Sequence, residues 1–201
     1  NYLAKKEKTV SSGDVFERDL GMENLALVLE KKIPLSVHAH RADDILTAIR
    51  ITDEFGIEMI LQHGTEAQKI IPELLKRNIP VVVGPTLSSR AKVELAEITW
   101  QTAALLSEAG VLVAITTDHS VVPVQYLPLC ASLAVRNGMK EEVALQAITI
   151  NPARILKLAH RIGSLEAGKD ADIVVMSGHP FDWRSCVERV YINGQIVYDK
   201  L

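Results

Sequence analysis

The chain has 201 residues, of which 48% are hydrophobic and 23% are charged, and its formal net charge is -3. This composition is typical of a soluble globular protein with one sizeable core, or with one domain and an appendage. The slightly acidic balance, with no basic stripe, argues against a nucleic-acid partner.

Two cysteines, Cys130 and Cys186, lie far apart in the sequence and form no CxxC or CxxH pattern. We therefore expect two reduced thiols and a cytoplasmic protein. Neither a signal peptide nor an apolar run of membrane-spanning length is visible, so we expect no membrane partner. The chain begins with Asn1 rather than Met, which favours a processed, cut or partially ordered chain.

The first part of the chain predicts alternating strands and helices. Residues 1–19 are polar and predict a loop or the end of an earlier element, and the apolar spacing over 22–31 predicts a helix. The strands are then predicted at 35–37, 57–61, 79–83 and 111–116, and the helices at 42–55, 66–76, 93–108, 128–136 and 140–147, with a short one after Asn151 and Pro152. This alternation indicates βα units and a parallel sheet.

Local signals support two details of this α/β prediction. The continuous apolar runs at 81–83 and 112–115 fit strands that are covered on both faces. Asp43 and Asp44 fall in the first turn of a predicted helix, where carboxylates favour the helix dipole, and Gly56 can end that helix.

The pattern changes after residue 157. Residues 163–172 are rich in turn formers, 173–176 predict a strand, and the strands 187–192 and 195–198 flank Asn193 and Gly194, a two-residue hairpin signal. We therefore place a main α/β domain at 1–160 and a small β appendage at 161–201.

Polar residues follow several predicted strands where each strand ends. His38 and His40 follow the first strand, His63 the second and Asp118 the fourth. Ligands gather outside the carboxyl ends of parallel strands, and imidazole and carboxylate groups are suitable ligands for zinc. The pattern therefore predicts a metal site that activates water, with Asp118 as ligand or proton acceptor. The adjacent His119 either points away or contacts substrate.

Each of these residues also has a structural explanation. A single histidine at a strand end is usually a hydrogen-bonded structural residue, whereas several aligned strand ends favour a common site. His160 and His179 are expected to face solvent or to be structural, and Asp170 and Asp172 to support a turn. The turn after the third strand, Gly84 to Thr86, is either ordinary or exposes backbone groups to a substrate.

Three motifs, in chain order, resemble the last four βα units of the amidohydrolase superfamily. They are VHAHRADDI at 37–45, LQHGTE at 61–66 and TTDH at 116–119. They are most similar to the imidazolonepropionase-like and prolidase-like branch. The segments 151–155 and 162–175 are similar to the C-terminal signature of the superfamily, and 190–197 resembles a strand pair of its small β-sandwich.

This resemblance implies metal-dependent hydrolysis of amide or cyclic amide bonds in a (β/α)8 barrel. It matches His38 to the metal ligand on the fifth strand and His63 to the sixth-strand histidine, which binds metal or polarises substrate. It matches Asp118 to the eighth-strand aspartate, which contacts the metal-bound water and transfers protons. We expect His40 to support a ligand or contact substrate, and Gly84 and Thr86 to line the pocket, with His119 nearby.

The chain lacks the first-strand His-x-His pair and a recognisable fourth-strand ligand of this family. A full barrel takes about 250 residues, whereas this chain supplies four units. We therefore expect the C-terminal half of a TIM-type (β/α)8 barrel, plus a β appendage that belongs to a composite β-sandwich. A missing N-terminal half, a second chain or a homo-oligomer of halves would complete the barrel.

We interpret the chain as a fragment of a metal-dependent amidohydrolase that acts on a small-molecule amide or cyclic amide. The expected cofactor is a divalent metal, zinc first, with one or two ions in the complete enzyme, and we expect the isolated chain to be inactive. A non-catalytic scaffold that has kept the fold and a self-sufficient flavodoxin-like open sheet are the alternatives.

Overall fold

The computed structural model of the chain describes residues 1–200. Its main sheet is parallel, in the order β1-β2-β3-β4, with strands Leu35–Ala39, Met59–His63, Val81–Val83 and Val113–Ile115. The helices α1 to α8 are Tyr2–Ser11, Leu20–Leu29, Ala42–Phe55, Ile71–Lys76, Thr102–Glu108, Leu127–Arg136, Glu141–Ala147 and Ile150–Ile155. The prediction of an α/β fold with a parallel sheet is therefore confirmed.

The start of the chain, which predicted a loop or the end of an earlier element, forms the helix α1 over Tyr2–Ser11, so the loop prediction is wrong for these residues. Polar contacts to α2 explain how such a polar segment is held. Glu23 of α2 accepts hydrogen bonds from the Tyr2 hydroxyl at 2.6 Å and from Lys6 Nζ at 2.7 Å. Hydrogen bonding from Lys6, and then from Tyr2, lowers the pKa of Glu23 to about 2.

Two predicted helices are shorter than expected. The segment 66–76 splits into a 3-10 helix, Ala67–Ile70, and α4, because Pro72 has no N–H with which to continue the preceding turn. The segment 93–108 splits into a 3-10 helix, Val93–Leu95, and α5. There the carbonyl oxygen of Ile98 accepts a hydrogen bond from Arg90 instead of from a helical N–H.

The helix over Ala42–Phe55 has the predicted bounds, and Gly56 ends it in a left-handed conformation, as expected. Asp43 and Asp44 lie in its first turn. Glu66, from the segment after β2, supplies a further cap, because its Oε2 accepts the N–H of Ala42 at 3.0 Å. This contact fixes the start of α3 to the end of the neighbouring strand.

The two faces of the main sheet are covered unequally. On one face, Leu61, Val81 and Val113 are at most 1% exposed and join the large hydrophobic core formed with α3 to α7. On the other face, Ile60 and Ala114 pack with Ile155 of α8 in a smaller cluster. The cover on both faces that was predicted for 81–83 and 112–115 is observed, because Val82 of β3 and Ala114 of β4 pack in this second cluster. On the same face of β1, Ser36 and His38 are exposed.

The C-terminal segment forms an antiparallel sheet of β5 (Ile173–Met176), β6 (Val187–Ile192) and β7 (Gln195–Asp199). Asn193 and Gly194 both have positive φ, as the predicted two-residue hairpin requires. Asp170 binds Arg161, and Asp172 accepts the N–H of Asn193, which confirms their structural role.

Cys130 is buried, Cys186 is exposed, and neither forms a disulfide. Within residues 1–200, no helix is both long enough and apolar enough to cross a membrane.

Gly84 lies directly after β3, where the backbone comes very close to the backbone that follows β4. Its φ is 132°, and an added Cβ would lie 2.1 Å from the carbonyl oxygen of Thr116. Gly110 also has a positive φ, 93°, but a Cβ there would meet no atom within 4 Å. A substitution at Gly84 therefore combines steric overlap with backbone strain, whereas a substitution at Gly110 introduces the backbone strain alone.

We expect Gly84→Ala to lower the free energy of unfolding by about 3 kcal/mol, because overlap adds to the strain. The matched control Gly110→Ala is expected to cost about 1 kcal/mol, from the positive φ alone. Urea unfolding of the two variants measures both values. Equal losses would contradict the close approach of the two strand ends.

Candidate metal centre

Three histidines from the ends of β1 and β2 converge at one edge of the main sheet. His38 lies in β1, His40 directly follows it, and His63 is the last residue of β2. One potential ligand atom from each of them lies within 4.8 Å of the other two. The ring centroids of His38 and His63 are 4.3 Å apart, and those of His40 and His63 are 4.8 Å apart and stacked.

The backbone at the end of β2 explains how His63 reaches the other two rings. In the parallel register His63 pairs with Ala39, whereas His38 pairs with Gln62. Strict alternation would therefore place the side chains of His38 and His63 on opposite faces. His63 instead has a left-handed φ of 70°, which is uncommon outside glycine, and its ring turns toward His38.

A hydrogen bond fixes the tautomer of His63. Its Nδ1 lies 2.6 Å from the carbonyl oxygen of Gly84, and His63 is 8% exposed. Because a carbonyl oxygen can only accept, Nδ1 is the protonated nitrogen of the neutral ring, whose lone pair then lies on Nε2. A histidine held in this way is prepared to bind a metal through Nε2.

His40 is held by a different partner. Its Nδ1 lies 2.7 Å from Oγ1 of Thr65, and the residue is only 6% exposed. Burial, followed by repulsion from His63 and His38, lowers the pKa of His40 to about 4. The ring is therefore neutral at pH 7, which is the form that binds metal.

A cavity of about 230 Å³ opens beside the histidines. Gly84, Thr86 and Asp118, which the sequence pointed to, line it together with His38, His40 and His63, whereas His119 is not among the lining residues. Asp118 is exposed and lies outside the three-histidine donor group, so its part in metal binding stays a prediction.

Most of the remaining cavity wall comes from the segment between β3 and α5. Leu95 and Ile98 supply apolar groups there, and Ser88, Ser89 and Lys92 supply polar ones. The sequence did not single out these residues. Leu95 and Ile98 were assigned to a continuous helix over 93–108, and Ser88, Ser89 and Lys92 lie in the segment before it. Thr65 was also missed, although its place two residues after His63 in the LQHGTE motif was visible.

The donor set fits a divalent transition metal. Three imidazole groups are the ligand type that zinc and related ions prefer, and catalytic zinc sites combine three protein ligands with an open position. The His63 tautomer and the neutral state of His40 agree with this chemistry.

Comparison with known proteins identifies the family. Residues 14–197 match the amidohydrolase family, and the chain therefore belongs to it. This membership confirms the resemblance in the sequence and excludes the flavodoxin-like alternative.

Individual relatives agree with this assignment. A solved amidohydrolase from Thermotoga maritima MSB8 is 54% identical, with a TM-score of 0.96, and the match covers 100% of this chain and 52% of that one. A probable imidazolonepropionase from Xenopus tropicalis is 29% identical over 90% of this chain and 43% of its own length. An adenosine deaminase from Xanthomonas campestris, solved with bound zinc, is 25% identical, with a TM-score of 0.59, and the match covers 82% of this chain and 45% of that one. The chain thus spans about half the length of these relatives or less.

The low pKa of His40 predicts a pH-dependent stability for the metal-free protein. The unfolded chain takes up a proton at about the ordinary value of 6.5, whereas the folded protein resists it until about pH 4. The stabilisation is therefore complete above pH 6.5 and is lost as the pH falls toward 4. We expect a loss on the order of 3 kcal/mol across this window.

Chemical unfolding at a series of pH values, in the presence of a chelator, measures this loss. His40→Gln removes the titrating group and is expected to flatten the curve between pH 4 and 6.5, whatever its effect on stability at pH 8. An unchanged slope in the variant would show that other groups cause the pH dependence.

Proposed function

We propose that the complete protein is a metal-dependent hydrolase of amide or cyclic amide C–N bonds, with zinc as the first candidate and one or two ions bound. The observation that carries this proposal is the convergence of His38, His40 and His63, whose donor atoms lie within 4.8 Å of one another beside a cavity. Membership of the amidohydrolase family supports the same reaction class.

The residues of this chain would divide the work as follows. His38, His40 and His63 would hold the metal, each through one ring nitrogen, and all three line the cavity. A bound divalent ion supplies Lewis acidity and lowers the pKa of water. Asp118, which also lines the cavity, would accept the proton of the attacking water and return it to the leaving nitrogen.

The cavity is suited to a small substrate. Its volume is about 230 Å³, and its walls combine apolar side chains such as Leu95 and Ile98 with the hydroxyl groups of Thr86 and Ser88. We propose that Gly84 and Thr86 contact the substrate directly. His119 does not line the cavity, so its contact with a substrate stays a prediction.

The remainder of the active site would come from chain beyond the four units described here. Among residues 1–200, β1 pairs only with β2, and β4 pairs only with β3, so both edges of the parallel sheet have unused backbone groups. We propose that a further half completes a (β/α)8 barrel at these edges and that the isolated chain is inactive. The exposed Ile196 and Val197 of β7 would belong to a composite β-sandwich.

Two free thiols favour a cytoplasmic protein.

Metal binding and hydrolysis by the full-length protein test this proposal. We expect His40→Ala and His63→Ala to weaken zinc binding by about 100-fold or more, since each removes one nitrogen ligand. Asp118→Asn is expected to lower kcat by about 100- to 10,000-fold, with a smaller effect on zinc affinity. Calorimetry and a panel of small amides and cyclic amides measure the two effects.

His160→Ala is the control, because this exposed histidine does not line the cavity. A full-length protein that binds no divalent metal and hydrolyses no member of the panel would contradict the proposal and favour a non-catalytic scaffold.

A further inference from the structure

We propose that Thr65 is a positioning residue for His40, and that it presents Nε2 of this histidine to the metal. The inference rests on the proposed metal site. It adds to that site a residue that touches neither metal nor reacting atoms but decides which ring nitrogen of His40 is available.

The side chain of Thr65 lies directly against the ring of His40. Its Oγ1 lies 2.7 Å from Nδ1 of His40, and Thr65 is 7% exposed. A hydroxyl group can accept the Nδ1 proton, which leaves the lone pair of His40 on Nε2. The hydroxyl group can equally donate to Nδ1, so its acceptor role is part of the proposal, whereas the carbonyl oxygen of Gly84 can only accept and holds this tautomer in His63.

Backbone hydrogen bonds fix Thr65 against the chain that carries His40. The N–H of Gly64 donates to Ala39 at 3.0 Å, and the N–H of Glu66 donates to the carbonyl oxygen of His40 at 2.9 Å. Thr65 lies between these two contacts. Its hydroxyl therefore has little freedom to move away from the ring.

A contact from α5 supports the same arrangement. Thr102, which is 2% exposed, directs its Oγ1 toward the carbonyl oxygen of Thr65 at 3.5 Å and toward Oε1 of Gln68 at 3.3 Å. The position of Thr65 thus depends on β1, β2 and α5 together.

Removing the hydroxyl would leave Nδ1 of a buried ring without a partner. A buried donor without an acceptor is unfavourable, so the ring would rotate or move its proton to Nε2. Either change removes a properly directed ligand. Removal of such supporting groups typically weakens metal binding by about 10- to 100-fold.

Thr65→Val, Thr65→Ser and the control Thr52→Val test the inference in the full-length protein. Thr52 is equally buried, at 3% exposed, but its hydroxyl bonds the carbonyl oxygen of Ile49 within α3, away from the histidines. Zinc affinity is measured by competition with a chelator. The protonated nitrogen of His40 in the metal-free protein is identified from ¹⁵N NMR shifts of the imidazole rings.

We expect wild type, Thr65→Ser and Thr52→Val to carry the His40 proton on Nδ1 and to bind zinc with affinities within about threefold of one another. Thr65→Val is expected to lose Nδ1 protonation and to bind zinc about 10- to 100-fold more weakly. A His40 ring protonated on Nε2 in wild type, or a Thr65→Val protein that behaves like Thr52→Val, overturns the inference. If wild type binds no zinc, the proposed function fails, and the NMR comparison alone decides the role of Thr65.

Discussion

The in-register parallel pairing of β1 and β2 is the constraint on which the rest of the site depends. It brings Ala39 opposite His63, so that the two strands end at the same level of the sheet. The chain after β2 then bonds back to the chain after β1 through Gly64 and Glu66. Three histidines from two separate βα units converge as a result, although strict alternation along the strands would have separated them.

This convergence is unfavourable for charged rings and favourable for neutral ones. Burial, together with repulsion among the three rings, holds the pKa of His40 at about 4. The Nδ1 atoms of His40 and His63 each have a hydrogen-bond partner, so no buried ring nitrogen loses solvent without compensation. The burial and the hydrogen bonds that keep the rings neutral in the folded protein would also leave them ready to bind a metal cation.

The unequal cover of the main sheet gives the site its surroundings. Helices α3 to α7 bury one face in a continuous core, whereas on the other face Ser36 and His38 of β1 are exposed. The cavity lies where this open face meets the irregular segment between β3 and α5. Within that segment the carbonyl oxygen of Ile98 accepts a hydrogen bond from Arg90, and the chain lines the cavity instead of continuing a helix.

The sequence by itself determined the α/β class, the family, the Asn193–Gly194 hairpin and the strand ends that carry His38 and His63, because hydrophobic period, turn residues and motifs are local properties. Only the tertiary structure decided that His40 joins the donor group, that Thr65 and the carbonyl oxygen of Gly84 hold two of the rings, and that the segment after β3 forms the cavity wall. These features depend on contacts between units that are 21 or more residues apart. No local pattern encodes the left-handed turn of His63 or the direction of a side-chain hydrogen bond, since both arise only when the strands are packed side by side.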